Sequence, residues 1–263
     1  MRTDPRPTPS GMGVYYPADY GPYVSSRTHA TSPAWQRLAR RLFETRAETI
    51  PSLPVGRLFE IGCAAGGFLR RMEKQGWSVE GLEFSATAAA HAQAAGLKVR
   101  AGALEQANDP DGRFDLIVGW MVLEHLHEPL AALRRLRGWI APDGWLAISV
   151  PDAGGWEFRT FGADWYALHL PNHLTHFTPT TLTRLLAEAG WRVERITHQR
   201  NLLNLFPSLG YRRQSRHADD RLTHWLIHYP ERGGVVKAVL YPLAVLLAAF
   251  GQTGRMTVWA RPS

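Results

Sequence analysis

Arg57-Leu58-Phe59-Glu60-Ile61-Gly62-Cys63-Ala64-Ala65-Gly66-Gly67-Phe68-Leu69 reads as a buried strand that breaks into a glycine-rich turn and restarts as a helix. Such a turn lets backbone N–H groups approach a ligand closely and presents a helix N-terminus to it. A second carboxylate, Glu83, closes the next apolar run 21 positions after Gly62. That spacing suits a side chain gripping the two hydroxyls of a ribose. Turn and carboxylate together point to an adenosine-containing ligand.

A dinucleotide fingerprint, G-x-G-x-x-G, would need glycine at 64, where this chain has alanine. The turn also carries Glu60 two residues before its first glycine, which a diphosphate would not tolerate well and a cationic amino acid would. Glu60-x-Gly62-x-x-x-Gly66 resembles motif I of the class I S-adenosylmethionine (SAM) methyltransferases. The resemblance implies that Glu60 lies near the amino group of the cofactor's methionine part, with Gly62 and Gly66 giving close backbone approach. Cys63, the single cysteine, is then a small side chain packed under the cofactor rather than a nucleophile. One cysteine excludes an intramolecular disulfide framework and fits a reducing compartment.

Outward from this turn, strand-like runs alternate with helical segments. Strands are expected at 57–61, 78–83, 97–101, 114–119 and 145–150. Helices are expected at 67–75, 85–95 and 129–139, with a weak piece near 104–108. Alternation of this kind builds βαβ units, hence an α/β, doubly wound and mostly parallel sheet with helices on both faces. Ligands then bind at the carboxyl ends of the strands. Val79-Glu80-Gly81-Leu82-Glu83-Phe84-Ser85 resembles the family's second strand, which implies Glu83 on the ribose and Phe84 against the adenine. Phe114 to Val118 with Val122 to Leu126 resembles the fourth strand and its exit, and Ala141-Pro142-Asp143-Gly144-Trp145-Leu146 the turn into the fifth. The family often has an Asp after its third strand. Ala103 stands there, so backbone groups of Gly102, Ala103 and Leu104 are expected to hold the adenine. The remaining cofactor-binding expectations are Ala64, Phe68, Ser85, Trp120 and Met121.

With 263 residues and 45% hydrophobic content, the chain can bury one sizeable core with appendages. Residues 1–30 read as a flexible arm: Met1 to Ser10 is proline-rich and polar, without a signal-peptide core, and the cytoplasm is the default location. Tyr15, Tyr16, Tyr20 and Tyr23 form a broken aromatic patch suited to folding over the domain or its active-site mouth. Ser32-Pro33 starts a helix expected over 33–49. The methyltransferase domain is read as 31–200 plus 255–263.

Pro151 to Thr178, expected to be irregular, is dense in aromatics and histidines. Trp165 through Phe177 resembles a pattern in a bacterial branch whose core is similar to the ubiquinone-biosynthesis O-methyltransferases. An insertion here lies over the methyl donor in this fold. Trp156, Trp165, Tyr166 and His169 are therefore expected to bind the acceptor. His173, then His125 and His176, are expected as general base, since histidine titrates in the useful range. No metal is expected: Pro171 breaks any helix that would align His169, His173 and His176, and Met121 stands where the ubiquinone-type enzymes often have a further carboxylate. Glu124 reads as a loop cap.

Thr178-Pro179 opens another helix ending at Gly190. Strands are expected at 191–197 and 256–260, the last antiparallel beside its predecessor. Between them lies a helical insertion, 201–254. Its segment 235–250 is nearly all apolar, too short to span a bilayer at ~20 residues, and fits a membrane interface, core packing or a homodimer contact. Arg212, Arg213, Arg216 and Arg221 lie nearby, within a formal net charge of +7. The whole reads as a SAM-dependent methyltransferase acting on oxygen, less so on nitrogen, of a partly apolar small-molecule, lipid-linked or cell-envelope acceptor. An RNA methyltransferase and a non-catalytic SAM-binding protein stay open as alternatives, the former without any Asn/Asp-Pro-Pro-Tyr motif to support it.

Overall fold

The computed structural model describes residues 1–16, 53–218, 220–229 and 235–263. The helix expected over 33–49, together with Tyr20 and Tyr23, lies outside them. Seven strands form one sheet: β1 Arg57–Ile61, β2 Ser78–Glu83, β3 Lys98–Ala101, β4 Phe114–Trp120, β5 Ile140–Pro151, β6 Trp191–His198 and β7 Arg255–Pro262. Their order is β3-β2-β1-β4-β5-β7-β6. Pairing is parallel from β3 through β5, while β7 runs antiparallel between β5 and β6. The order reverses between β1 and β4, and a crevice at such a point is where open α/β sheets bind ligands.

Period-two alternation sends neighbouring side chains to opposite faces. Leu58, Leu116 and Val118 join one core with α1 (Gly67–Glu73) and α2 (Ala86–Ala94). Phe59, Ile61 and Ile117 join the other with α3 (Pro129–Trp139) and α5 (Pro179–Glu188). The helix starts follow local chemistry. The Ser85 hydroxyl accepts the Ala88 N–H at the start of α2. Proline occupies the first turn of α3, and Thr178 forms a capping box with Thr181 at α5.

Three differences from the sequence reading bear on the site. Residues 1–16, read as part of a flexible arm, are docked on the domain: Arg2 pairs with Thr175, and Pro9–Tyr15 forms a 3-10 turn capped by Thr8. The segment after β5, read as irregular, contains helix α4 (Trp156–Phe161) and two short 3-10 turns. The Ala141–Gly144 turn is absorbed into β5 as a shift in register between Phe114 and Leu116 on its neighbour. Between β6 and β7 lie α6 (Leu205–Ser215), α7 (Arg221–Ile227) and α8 (Val235–Ala249). No described helix is long and apolar enough to cross a membrane.

Candidate functional site

The glycine turn follows β1. Gly62, Ala64 and Gly66 all have positive φ, at 67°, 48° and 75°, so the chain reverses sharply and α1 starts with its N-terminus at the crevice. Glycine is required at 62 and 66: a Cβ at Gly62 would lie 2.4 Å from Val122 Cγ2, and one at Gly66 2.3 Å from Leu97 Cδ1. Glu83, only 4% exposed, holds the turn from the next strand. Its Oε2 accepts the Ala64 N–H at 2.8 Å and its Oε1 the Ser85 N–H at 2.8 Å. Burial pushes this carboxyl up from its ordinary value. A carboxylate has about four acceptor positions, so these bonds leave acceptor capacity for a ligand.

The surrounding residues fit an adenosine-type cofactor on several counts. Phe84, next in the chain, leaves 51% of its surface exposed, an apolar face suited to a base. Gly102, whose N–H donates to Glu83 O at 2.9 Å, has open space where a Cβ would stand. Ala103 is partly exposed, whereas Leu104 is buried in the core. Phe68 and Trp120 meet edge to face at 5.4 Å and form the wall near the turn. Met121 is held at φ 59°, its N–H on Ser149 O. Cys63 is buried; burial, then the charges of Glu60 and Glu83, push its thiol well above the usual range. It stays protonated and packs against Gly81.

Beyond β4 and β5 the histidines converge. The His173 and His125 rings meet at 4.7 Å, and His173 and His169 at 4.9 Å. His173 Nδ1 lies 2.8 Å from Ala167 O. A carbonyl only accepts, so Nδ1 carries the proton and Nε2 the lone pair. Nε2 lies 3.4 Å from His169 Nδ1 and 3.9 Å from Glu124 Oε1. Burial lowers the basicity of His125, to about 4, and of His173 and His169. His176 is also lowered to about 4, by burial and by the nearby N-terminal ammonium. The cluster is therefore neutral at pH 7.

Glu124 is fully buried, neither carboxylate oxygen has a hydrogen-bond partner among the described residues, and burial pushes it up to about 8. Its carboxylate does not cap the loop as expected; its backbone carbonyl does that work, accepting the N–H groups of Leu174 and Thr175. Glu124, His125 and His173 each place a ligand atom within 4.8 Å of the others. That trio, rather than the histidines 169, 173 and 176, is the set of described residues compatible with a cation.

Of the expected acceptor residues, His169 sets its ring against His173 on the outer side of the cluster and Tyr166 stacks on Tyr211 at 6.0 Å. Trp165 is a packing residue: it is 1% exposed and its indole N–H donates to Glu157 Oε2. Trp156 packs edge to face on Phe161. Sequence reasoning missed Asn172, whose carbonyl and side chain both reach this region, and gave Tyr16 no specific role.

A methyltransferase-domain family profile matches residues 29–196, and the chain belongs to that family. Curated relatives include the ubiquinone biosynthesis O-methyltransferases of Rhodopseudomonas palustris (strain BisA53), 30% identical over 160 residues, covering 56% of this chain and 63% of that protein, and of Cereibacter sphaeroides (strain ATCC 17025 / ATH 2.4.3), 31% identical over 147 residues, covering 51% and 59%. The chain thus spans about three fifths of the length of these relatives. Among solved structures, a SAM-dependent methyltransferase from Mesorhizobium loti superposes with a TM-score of 0.53 at 19% identity, covering 87% of this chain and 98% of that one. The [4+2]-cyclase SpnF superposes with 0.58 at 18% identity, covering 98% and 97%. The seven-stranded α/β methyltransferase fold is thereby shown, and the family and fold imply S-adenosyl-L-methionine as the cofactor.

Proposed function

We propose that this chain catalyses transfer of the SAM methyl group to an oxygen, and less readily to a nitrogen, of a partly apolar small-molecule, lipid-linked or cell-envelope acceptor. The observation that carries the reading is the histidine cluster, joined through Tyr16 to Phe84 beside the crevice that Glu83 and the glycine turn frame. SAM supplies an already activated methyl group on a sulfonium, so the protein's task is alignment and exclusion of water. Glu83, the turn from Gly62 to Gly66, and Phe84 hold the donor, with Glu60 beside its amino group. His173, with Nδ1–H fixed on Ala167 O, keeps an Nε2 lone pair to take the acceptor's hydroxyl proton, and His125 and His176 stand beside it. The aromatic segment carrying Trp156, Tyr166 and His169 shapes the acceptor's surroundings, with Trp165 packed behind it.

A peripheral membrane contact through 235–250 is the second part of the reading. In α8 and just beyond it, Val239, Leu243, Leu246 and Phe250 are 69%, 45%, 55% and 72% exposed, recurring at helical spacing. Arg212 and Arg213 are engaged by Asp164 and Asp220, so the apolar stripe rather than those arginines would supply the affinity. A homodimer through the same stripe is the competing occupant.

The test begins with calorimetric titration of S-adenosylhomocysteine, with NAD as control. Saturable binding to S-adenosylhomocysteine alone supports the cofactor reading; no binding to folded protein overturns it. Transfer of labelled methyl from SAM to a panel of catechols and quinols follows, with metal analysis of the same sample. Binding without transfer to any acceptor, RNA included, would favour a non-catalytic SAM-binding protein.

A further inference from the structure

The first sixteen residues run across the mouth of the histidine cluster. The Thr3 N–H donates to Leu174 O at 3.0 Å, and the His176 N–H to Met1 O at 2.8 Å. The Thr3 hydroxyl donates to His173 O at 2.6 Å. These bonds grip the backbone of the loop that carries His173 and His176. Farther along, Arg6 Nη1 donates to His127 O at 3.0 Å, and His127 Nε2 lies 2.9 Å from Pro7 O. Met12 is buried at 5% exposure, and Asn172 Nδ2 donates to Tyr15 O at 2.9 Å.

The arm then delivers Tyr16 to a particular place. Its hydroxyl lies 2.7 Å from His125 Nδ1. Its ring stands 5.9 Å from the His125 ring and 6.0 Å from Phe84, edge to face with both. One phenol therefore touches the histidine cluster and the aromatic ring at the adenosine end of the crevice. His125 Nδ1 is also 3.1 Å from Asn172 O. That carbonyl can only accept, so a proton on Nδ1 serves both the carbonyl at 3.1 Å and the phenol oxygen at 2.7 Å, the phenol being the closer of the two acceptors. The lone pair of neutral His125 is thereby confined to Nε2.

We propose that Tyr16 is a positioning residue of the transfer site: with the Asn172 carbonyl it fixes the orientation and tautomer of His125, while the arm closes the acceptor side next to the cofactor crevice. The proposal rests on the methyltransferase reading for its chemistry, but its geometric core does not. A structural staple alone would need the main-chain bonds of Met1, Thr3 and Tyr15; it would not need a phenol on an imidazole of the cluster.

The experiment uses the full chain with Tyr16→Phe, which keeps the ring and removes the hydroxyl, and Arg6→Ala, which loosens the arm away from the cluster. Long-range proton–nitrogen NMR of His125 separates its protonated nitrogen from its lone-pair nitrogen. The wild type is expected to show a single tautomer with the proton on Nδ1, and Tyr16→Phe a mixture, while Arg6→Ala stays like wild type. S-adenosylhomocysteine affinity should change by less than about threefold, since Glu83 and the turn are untouched. With 3,4-dihydroxybenzoate as acceptor probe, Tyr16→Phe should lower kcat about tenfold or more with little change in the KM for SAM. An unchanged His125 tautomer in Tyr16→Phe, an equal change in Arg6→Ala, or a wild-type kcat with the probe would each overturn the proposal. If the wild type binds no S-adenosylhomocysteine, or leaves the probe unmethylated, the functional reading or its acceptor class fails separately, and the NMR comparison decides the role of Tyr16 alone.

Discussion

Replacing Glu83 with glutamine separates two jobs that one side chain performs. In the folded chain its two oxygens accept the N–H groups of Ala64 and Ser85 at 2.8 Å each. Glutamine can accept one of these; its NH2 then faces the other amide, leaving a buried donor unsatisfied at a cost of about 1–3 kcal/mol. Against this, the amide avoids the desolvation that pushes the buried Glu83 carboxyl up. The net loss of stability should be about 1 kcal/mol, seen as a fall in Tm of roughly 2–4 °C for a chain of this size. Binding should suffer more. Hydrogen bonds to a charged acceptor contribute about 1.5–3 kcal/mol against 0.5–1.5 for neutral ones. Losing the charge at one ribose hydroxyl and the acceptor at the other costs about 2–3 kcal/mol, or roughly thirty- to 150-fold in Kd. Calorimetry with S-adenosylhomocysteine and with adenosine, which carries the ribose without the amino acid, should show the same loss for both. A Kd within about threefold of wild type, alongside the lowered Tm, would refute the ribose role and leave Glu83 as a staple of the turn.

Other substitutions test the frame around it. Gly62→Ala forces a side chain to φ 67° and against Val122, and should cost about 1–3 kcal/mol by denaturant unfolding; an unchanged midpoint would mean that the turn relaxes freely. At Glu80, burial pushes the carboxyl up, but bonds to Lys98 at 3.0 Å and Arg57 at 2.9 Å hold it below its ordinary value overall. Its contribution is therefore present above the unfolded-state value and lost as pH falls through the lower folded one. Glu80→Gln should cost about 1 kcal/mol at pH 7, and the gap from wild type should narrow on acidification; a pH-independent gap would contradict the ion-pair account. Glu124 is raised to about 8 by burial, so the native state keeps a proton that the unfolded chain sheds. Wild-type stability should fall from about pH 5 to pH 8, whereas Glu124→Gln should lack that part of the slope; parallel urea profiles would show the carboxyl to be ionised in the fold.

The sheet was legible because its signals are local. Leu58 and Phe59, one residue apart, belong to opposite cores, and the same alternation marks β4, so strand positions followed from the sequence to within a residue or two; β5 was the exception, because its early bulge hides Ile140 behind a turn-like Ala141–Gly144. The glycine turn was legible for a similar reason: Gly62, Gly66 and Glu83 are constrained by backbone geometry, which spacing records. The histidine cluster depends on contacts between distant segments. Nothing near Tyr16 announces that its hydroxyl meets His125, and a proline-rich start suggests looseness when its backbone groups are in fact paired with residues 174–176. Glu124 was misjudged as a cap because carboxylates after a strand usually meet water or an N–H, and burial is invisible in one dimension. Trp165 was taken for a pocket wall because an aromatic-rich loop does not reveal which of its rings point inward.

The placement of β7 bears on how the chain reaches its folded form. The donor crevice draws on β1 to β4, all complete by Trp120. β7 is inserted between β5 and β6 only after residues 199–254 have been made. It also brings Arg255, whose buried guanidinium acts electrostatically on Glu124 and Glu157. A chain emerging from the ribosome can thus assemble a parallel half-sheet early, while the surroundings of Glu124 and Glu157 wait for a strand drawn from far along the sequence, the slow kind of contact to make. Until that strand arrives, β5 keeps an open edge. Cofactor present during synthesis would meet a nearly finished crevice, and the sheet would be completed from the far end of the chain.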